Sequence, residues 1–444
     1  MKCGRTTMTA GASLALAIAF FGIESRAVAQ VLLVDRDGWR VSTDGRVNAF
    51  LSVAEGNGLP ADQPQNLGAG NHDATDSNNN LHSSRIRNGF LMSILGFTAE
   101  KQVSPDLKVT ARVGLWMNIT GSRTKNIPGL VDPRELYGKL EGRWGSFLGG
   151  SDLSLFGRGA TLMDQQIAHD FGLGSPCDVE FASGGGCGMV GFGEPFPGFE
   201  PGFVYATPDL NGLQLSVGAY DPATISNAQL NRAPLPRFEG EATYQIRNLA
   251  RVFASGFWQV LEGTVPATTA GGTMYLRNLH TDGWGVQAGA MLSLGPVMLG
   301  GAAYKGAGFS PITYLDESVI SADSAGVLRN SRGAFGLGSV AFETLKLKIA
   351  GGVGVWQLDK NRNDVGAVSP TGAPSNPALI KQNLGETIGL YQTTGPVHFA
   401  LEYFRAQYTW YDRGLADPVD ATKVDIVTPK QAVNFITAGM TVVW

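Results

Sequence analysis

Ile436-Thr437-Ala438-Gly439-Met440-Thr441-Val442-Val443-Trp444 is the stretch whose reading decides the fold. Successive side chains of an extended strand point to opposite faces. Ile436, Ala438, Met440, Val442 and Trp444 therefore share one face, and Thr437, Gly439, Thr441 and Val443 the other. An apolar face backed by a small or polar one suits a strand with hydrocarbon on one side and water on the other. Taken alone, the same alternation would fit an edge strand of a soluble sheet. The question is whether the pattern repeats, and what joins the repeats.

It repeats along the chain. Leu213, Leu215, Val217 and Ala219 oppose Gln214, Ser216, Gly218 and Tyr220. Phe238, Ala242, Tyr244 and Ile246 oppose Glu239, Glu241, Thr243 and Gln245. Val109, Ala111, Val113, Leu115 and Met117 oppose Lys108, Thr110, Arg112 and Asn118, and Lys346–Val355 alternates likewise. Trp284–Tyr304 carries no charged residue but holds Gly295-Pro296 and four further glycines, which read as two strands and a turn rather than a helix.

The joints alternate in length. Tight turns are expected at Ser104-Pro105-Asp106, Gly142–Gly145, Asp209–Gly212, Gly295-Pro296, Glu343-Thr344 and Gly395-Pro396, where Pro, Gly, Asn and Asp suit the backbone geometry. Long polar links run over Asn57–Leu81, Asp221–Pro236, Gly306–Ser331 and Asp359–Lys381. Short turns at one end and long loops at the other are the mark of an all-β transmembrane antiparallel barrel, with periplasmic turns and external loops. Starts near Trp39, Ser84, Leu107, Arg134, Ser146, Gly202, Leu213, Arg237, Ala250, Asp282, Val297, Arg332, Leu345, Gln382, Val397 and Lys430 give about sixteen strands. An even number closes such a ring with both termini on one side.

Composition agrees. Charged residues make up only 16% of the 444 residues, mean hydropathy is near zero and 60 residues are glycine, unlike a soluble enzyme or a helical membrane protein. Lys2 and Arg5, the apolar run Gly11–Ile23 and Ala27-Val28-Ala29 read as a signal peptide over residues 1–29, so the barrel domain is expected to span 30–444. Removing that segment takes away three positive charges and one negative, which moves the net charge from −4 to about −6. A negative chain argues against a nucleic-acid partner. Cys177 and Cys187 remain, ten apart in an exported chain, and suggest a local disulfide; two free thiols are the alternative.

With these features the sequence resembles the Gram-negative general diffusion porins. The alternating last strand matches that family's assembly signal through Met440, Val442 and Trp444, although most relatives end in Phe. Val47-Asn48-Ala49-Phe50 resembles the opening strand, and Tyr137–Gly150 resembles a strand, glycine-rich turn and strand of the family. The resemblance implies a sixteen-stranded barrel, a homotrimer, contacts with outer-membrane lipid and lipopolysaccharide, and delivery by the barrel-assembly machinery. It also implies an infolded third external loop, here about Leu155–Phe199, with a helical turn or two over Met163–Phe171.

A pore of this kind needs charge across a narrow gap rather than a catalytic group. The resemblance puts basic residues on the wall and acidic ones on the infolded loop. By strand parity the wall candidates are Arg85, Arg87 and Arg112, with Arg46 and Lys139 behind them. The loop candidates are Asp164, Asp170, Asp178, Glu180 and Glu194. No catalytic residue, metal site or cofactor is expected. The five histidines lack metal-ligand spacing, no Gly-x-Ser-x-Gly elbow or phosphate-binding loop occurs, and Asp35–Gly38 is too short for a calcium loop. Trp144, Trp258, Trp284, Tyr403, Tyr408, Trp410, Tyr411 and Trp444 are expected to form girdles near the strand ends. The expected function is passive diffusion of small hydrophilic solutes and ions. The rivals are a substrate-specific channel on the same barrel, an outer-membrane enzyme using His169 or His280, and a secreted adhesin or sandwich.

Overall fold

A computed structural model describes residues 30–58, 80–89, 91–117, 119, 131–164, 188–269, 272, 274–311, 313–315, 320–323, 325–365, 379–416 and 424–444. The signal peptide and the positions of Cys177, Cys187, Asp170, Asp178 and Glu180 lie outside these residues.

One antiparallel sheet closes on itself as a barrel of sixteen staves. The first is Trp39–Asn57. The second is built from two segments, Asn80–Arg87 and Ser93–Ser104, which pair with successive lengths of the first. The others are Leu107–Met117, Val131–Gly142, Gly145–Leu153, Phe199–Ala206, Leu213–Tyr220, Arg237–Ile246, Ala250–Thr268, Met274–Leu294, Val297–Ala307, Asn330–Phe342, Leu347–Leu358, Ile380–Thr394, Val397–Trp410 and Lys430–Val443. The last pairs with the first, Ile436 opposite Val53 and Met440 opposite Ala49. Gly45 and Trp444 exchange both backbone hydrogen bonds, each 3.0 Å, at the foot of the seam. A closed ring leaves no edge of unpaired backbone to face lipid.

Alternation assigns the faces. On the closing strands Val47, Leu51, Ile436 and Met440 are about half exposed outside, while Asn48, Ser52, Thr437 and Thr441 are buried inside. Trp144, Trp258 and Tyr403 are exposed on the outer face, as a girdle requires, but Tyr408 and Trp410 are fully buried inside. Their places on Val397–Trp410 have the parity of Phe404, which also points in.

All seven short turns, from 105–106 to 395–396, lie at the end that holds Trp444, and the long loops lie at the other. Most expected strand starts fall within a few residues of the observed ones. The widest difference is Met274 against Asp282, because Met274–Thr281 does not alternate. It pairs with Leu261–Thr268 and extends the hairpin past its neighbours. A further strand, Val31–Arg36, folds onto Trp39–Thr43 through Asp37 and Gly38, with φ of 54° and 77°. Paired positive φ values make this a type I′ hairpin turn, for which Asp-Gly is well suited.

The third loop is folded inward. Its two described limbs, 154–164 and 188–198, are almost wholly buried. They cross from the fifth and sixth staves to the opposite inner wall. A short helix, Arg158–Thr161, precedes the range expected to be helical, Met163–Phe171, of which residues 165–171 lie outside the described residues. Phe156 packs edge-on against Phe257 and Tyr314, with centroids 4.9 and 5.2 Å apart. Phe192 packs against Phe404 and Tyr408 at 5.0 and 5.9 Å. Backbone meets backbone there too: a Cβ on Gly354 would stand 1.9 Å from the Phe192 carbonyl, and one on Gly193 2.2 Å from the Ala334 carbonyl. The loop 308–329 also turns inward through Phe309, Tyr314 and Leu315. The apolar core of this protein is therefore inside the barrel, between infolded loops and staves nine to sixteen.

Candidate functional site

The other half of the inner wall, staves one to eight, carries charge. Two tiers stand out on the first four staves.

The lower tier is a triad. Arg112 reaches from Leu107–Met117 and donates to both oxygens of Asp44, Nη1 to Oδ1 at 2.8 Å and Nη2 to Oδ2 at 3.0 Å. Nη2 also donates to Glu135 Oε2 at 3.1 Å, and Nη1 to Thr98 Oγ1 at 3.0 Å. Asp44, Gly96, Gly114 and Glu135 are successive partners across four strands. The two glycines leave room for the arginine, since a Cβ on Gly96 would lie 2.9 Å from its Nη2 and one on Gly114 2.2 Å from Glu135 Oε2. Alternation puts the charged side chains on the inner face, and the glycines let the triad lie flat.

The upper tier follows the row Arg46, Ile94, Trp116 and Asp132. The Trp116 ring carries the guanidinium of Arg46 at 5.0 Å and that of Arg134 at 5.2 Å. Above it the second stave breaks between Arg87 and Ser93, and Asn48 spans the break. Its Nδ2 donates to the Leu91 carbonyl at 2.7 Å, its Oδ1 accepts from Gly89 N at 3.0 Å, and its N–H bonds Ser93 Oγ at 3.2 Å. Asn88 in turn accepts the Ile119 N–H at 2.6 Å.

The eighth stave anchors the infolded loops. Glu239 accepts from Arg237 Nε at 2.8 Å, from the Phe156 N–H at 2.8 Å and from the Tyr314 hydroxyl at 3.1 Å. Arg158 of the loop helix pairs with Glu241. At the neck of the third loop Asp164 and Glu194 are buried together. Asp164 Oδ2 accepts the Met189 N–H at 3.3 Å, and Glu194 Oε1 accepts from the Thr161 hydroxyl at 2.6 Å. Burial, reinforced by the negative charge of Asp164, raises the Glu194 carboxyl well above its ordinary range.

The expected residues divide accordingly. Arg112, Arg46 and Lys139 are on the inner wall, Arg112 paired with wall carboxylates and Lys139 3.3 Å from Glu141. Arg87 is fully buried opposite Phe50, and the backbone of Arg85 stands opposite Ser52. Asp164 is buried at the neck of its own loop, where it accepts from Met189, neighbours Glu194 and lies within electrostatic reach of Lys348 on the inner wall. Sequence reading passed over Trp116, Arg134, Asp44, Glu135 and Glu239. Parity marks all but Arg134 as inward, yet nothing in parity alone says which inward residues meet. Met440 is exposed on the outer face, and the Trp444 ring covers Gly45.

No family model and no curated protein matches the chain in sequence. Solved structures match it in shape. The outer membrane channel DcaP of Acinetobacter baumannii superposes with a TM-score of 0.62 at 15% identity, over 93% of this chain and 100% of that one. The anion-selective porin from Comamonas acidovorans gives 0.55 at 13% identity, over 91% and 100%. At such identity the likeness is one of fold. Closed, sixteen-stranded and antiparallel, with its third loop turned into the lumen, this chain has the fold of the outer-membrane porins.

Proposed function

We propose that this protein is a channel of the bacterial outer membrane, through which small hydrophilic solutes and ions diffuse passively. One observation carries the reading: the ring is apolar outside and charged inside along staves one to eight. Hydrocarbon tolerates the first, and only water or a counter-charge tolerates the second. The described structures of like shape include an outer membrane channel and an anion-selective porin, which supports the same reading.

In this reading Arg85, Arg87 and Arg112 are the basic side of the constriction. Asp170, Asp178 and Glu180 are the acidic side, and Asp164 holds the neck of the loop that presents them. Residues 1–29 direct export and the mature chain begins at Gln30. The assembled form is a homotrimer in lipid and lipopolysaccharide, reached through barrel-assembly machinery that reads Met440, Val442 and Trp444. A Cys177–Cys187 disulfide stiffens the loop.

Planar-bilayer recording of the refolded protein tests the proposal. Stepwise, ohmic conductance is expected, without saturable block by simple sugars. Saturable block by one solute would move the assignment to a substrate-specific channel, and membranes that stay electrically silent would end it.

A further inference from the structure

Going beyond the channel reading, we propose that the loop 308–329, between staves eleven and twelve, is a wedge that keeps the third loop docked, and that the buried Arg329–Asp364 ion pair is the latch of that wedge.

Arg329 is the hub of this loop. It is buried, and so is Asp364, which belongs to the segment 359–365 between staves thirteen and fourteen. Arg329 Nε and Nη2 donate to the two carboxylate oxygens at 2.8 and 2.7 Å. Its Nη1 donates to the carbonyls of Ile320 at 2.9 Å and Ala322 at 2.7 Å. The main chain of the same residue joins the two limbs of the loop. Its N–H donates to the Ser321 carbonyl and its carbonyl accepts from the Gly308 N–H, both at 3.0 Å. One residue thus ties the outgoing limb 308–315, the returning limb 320–329 and a neighbouring loop together. Asn361 reinforces the tie, its N–H donating to Asp364 Oδ2 at 2.7 Å and its Nδ2 to the Val327 carbonyl at 2.9 Å. A planar guanidinium held two-pronged by a carboxylate fixes direction as well as distance.

The outgoing limb bears on the third loop. Phe309 and Tyr314 stand 5.9 and 5.2 Å from the Phe156 ring, and Phe257 of the wall stands 4.9 Å from it. Two of these three rings belong to the loop 308–329 and one to the barrel. The Tyr314 hydroxyl lies 3.2 Å from Ser154 Oγ and donates to Glu239 Oε1 at 3.1 Å; the other oxygen of that carboxylate accepts the Phe156 N–H. Withdrawing the limb 308–315 takes two ring contacts from Phe156 and a partner from Ser154. Withdrawing Phe156 leaves the bonds of Arg329 described above in place. The dependence therefore runs one way, from latch to wedge to third loop. Removing one partner of the latch leaves the other buried without its two-pronged counter-charge, which favours an undocked limb with that charge in water.

Amide hydrogen exchange on the full-length refolded protein tests the proposal, with heat-modifiable mobility as the check that the ring has formed. Arg329→Met should speed exchange at least about tenfold in peptides from 308–315, from 320–329 and from 154–164, while the staves exchange as in the parent. Tyr314→Ala, which keeps the latch, should speed exchange in 154–164 and leave 320–329 protected. Phe156→Ala should do likewise, because the wedge does not depend on the third loop. Asp364→Asn carries the latch arm if Arg329→Met does not refold. A folded latch variant with parent-like exchange across 308–329 overturns the latch. One that loosens 308–329 while 154–164 stays protected overturns the wedge, as does a Tyr314→Ala protein with parent-like exchange in 154–164. Phe156→Ala protein that loosens 320–329 as well would overturn the one-way dependence. Membranes left electrically silent by the parent would end the channel reading, a separate failure that the exchange measurement does not share.

Discussion

Arg112 grips both oxygens of Asp44, at 2.8 and 3.0 Å, and holds Glu135 on the same guanidinium at 3.1 Å. Two carboxylates share one cation on an inner wall that is only partly exposed. Charge-assisted, two-pronged bonds of this kind are the stronger sort and fix direction as well as distance.

Removing the cation should therefore matter more than removing either acid. Arg112→Gln leaves Asp44 and Glu135 facing each other across Gly96 and Gly114, and the reversal potential in a salt gradient should move toward cations. Asp44→Asn and Glu135→Gln should each move it the other way, by less, because the second carboxylate remains. Neutralising Arg85 and Arg87 along with Arg112 should enlarge the cation shift. If Arg112→Gln has the selectivity of the parent, the triad does not line the conducting path.

The third loop is held by aromatic packing as well as by charge. Phe156 and Phe192 are fully buried at opposite ends of its described course. Truncating a buried phenylalanine to alanine costs about 3–5 kcal/mol in a packed core. Phe156→Ala and Phe192→Ala should loosen the loop while leaving the hydrogen-bonded ring intact. Heat-modifiable mobility would persist, open-channel noise would rise, and protease would cut within residues 154–198. Quiet, protease-resistant variants would mean that Glu239 and Glu241 hold the loop alone.

The ring itself was legible in the sequence because its causes are local. Alternation, proline and glycine turns, and the contrast of short and long links each act over a few residues, so Leu213–Tyr220 or Ile436–Trp444 reads correctly without knowing its neighbours. The inner surface was less legible because it depends on register. Arg112 could be placed inside by parity, but its meeting with Asp44 joins residues 68 apart, and nothing short of the strand pairing specifies it. Tyr408 and Trp410 misled for a related reason: an aromatic near a strand end suits an interface girdle or the underside of an infolded loop equally well. The burial of Asp164 was not legible either, because a loop acid reads as solvated until the loop is known to fold back over it.

The seam gives a prediction about assembly. Trp444 pairs with Gly45 through two backbone bonds, and its ring occupies the space a Cβ on Gly45 would need, 2.5 Å from the nearest ring atom. Gly45→Val should open the foot of the barrel and lower the yield of heat-modifiable protein on refolding. Deleting Trp444 should do the same. Trp444→Phe keeps an aromatic ring at the terminus and should refold near the parent level, whereas Trp444→Ser should not. Equal yields from the Phe and Ser variants would deny the ring any part in closure.

The pH response of the third loop follows from the carboxyl pair at its neck. Burial and the nearby charge of Asp164 raise the Glu194 carboxyl when the loop is docked, while a released loop would titrate in the ordinary range near 4.3. A raised docked-state value means that the docked loop binds the proton more tightly. The resulting stabilisation is complete below the ordinary carboxyl range and is lost as pH rises through the raised value. The groups facing the pair are the Thr161 hydroxyl, which donates to Glu194, and Lys348, which lies within electrostatic reach of Asp164 and of Glu402. Open-channel noise, or proteolysis between 154 and 198, should therefore increase with rising pH in the parent. Glu194→Gln preserves an uncharged group that can accept from Thr161, so its profile should be flat over the same range. A parent and a Glu194→Gln variant with superimposable pH profiles would show that the proton at this neck does not govern docking.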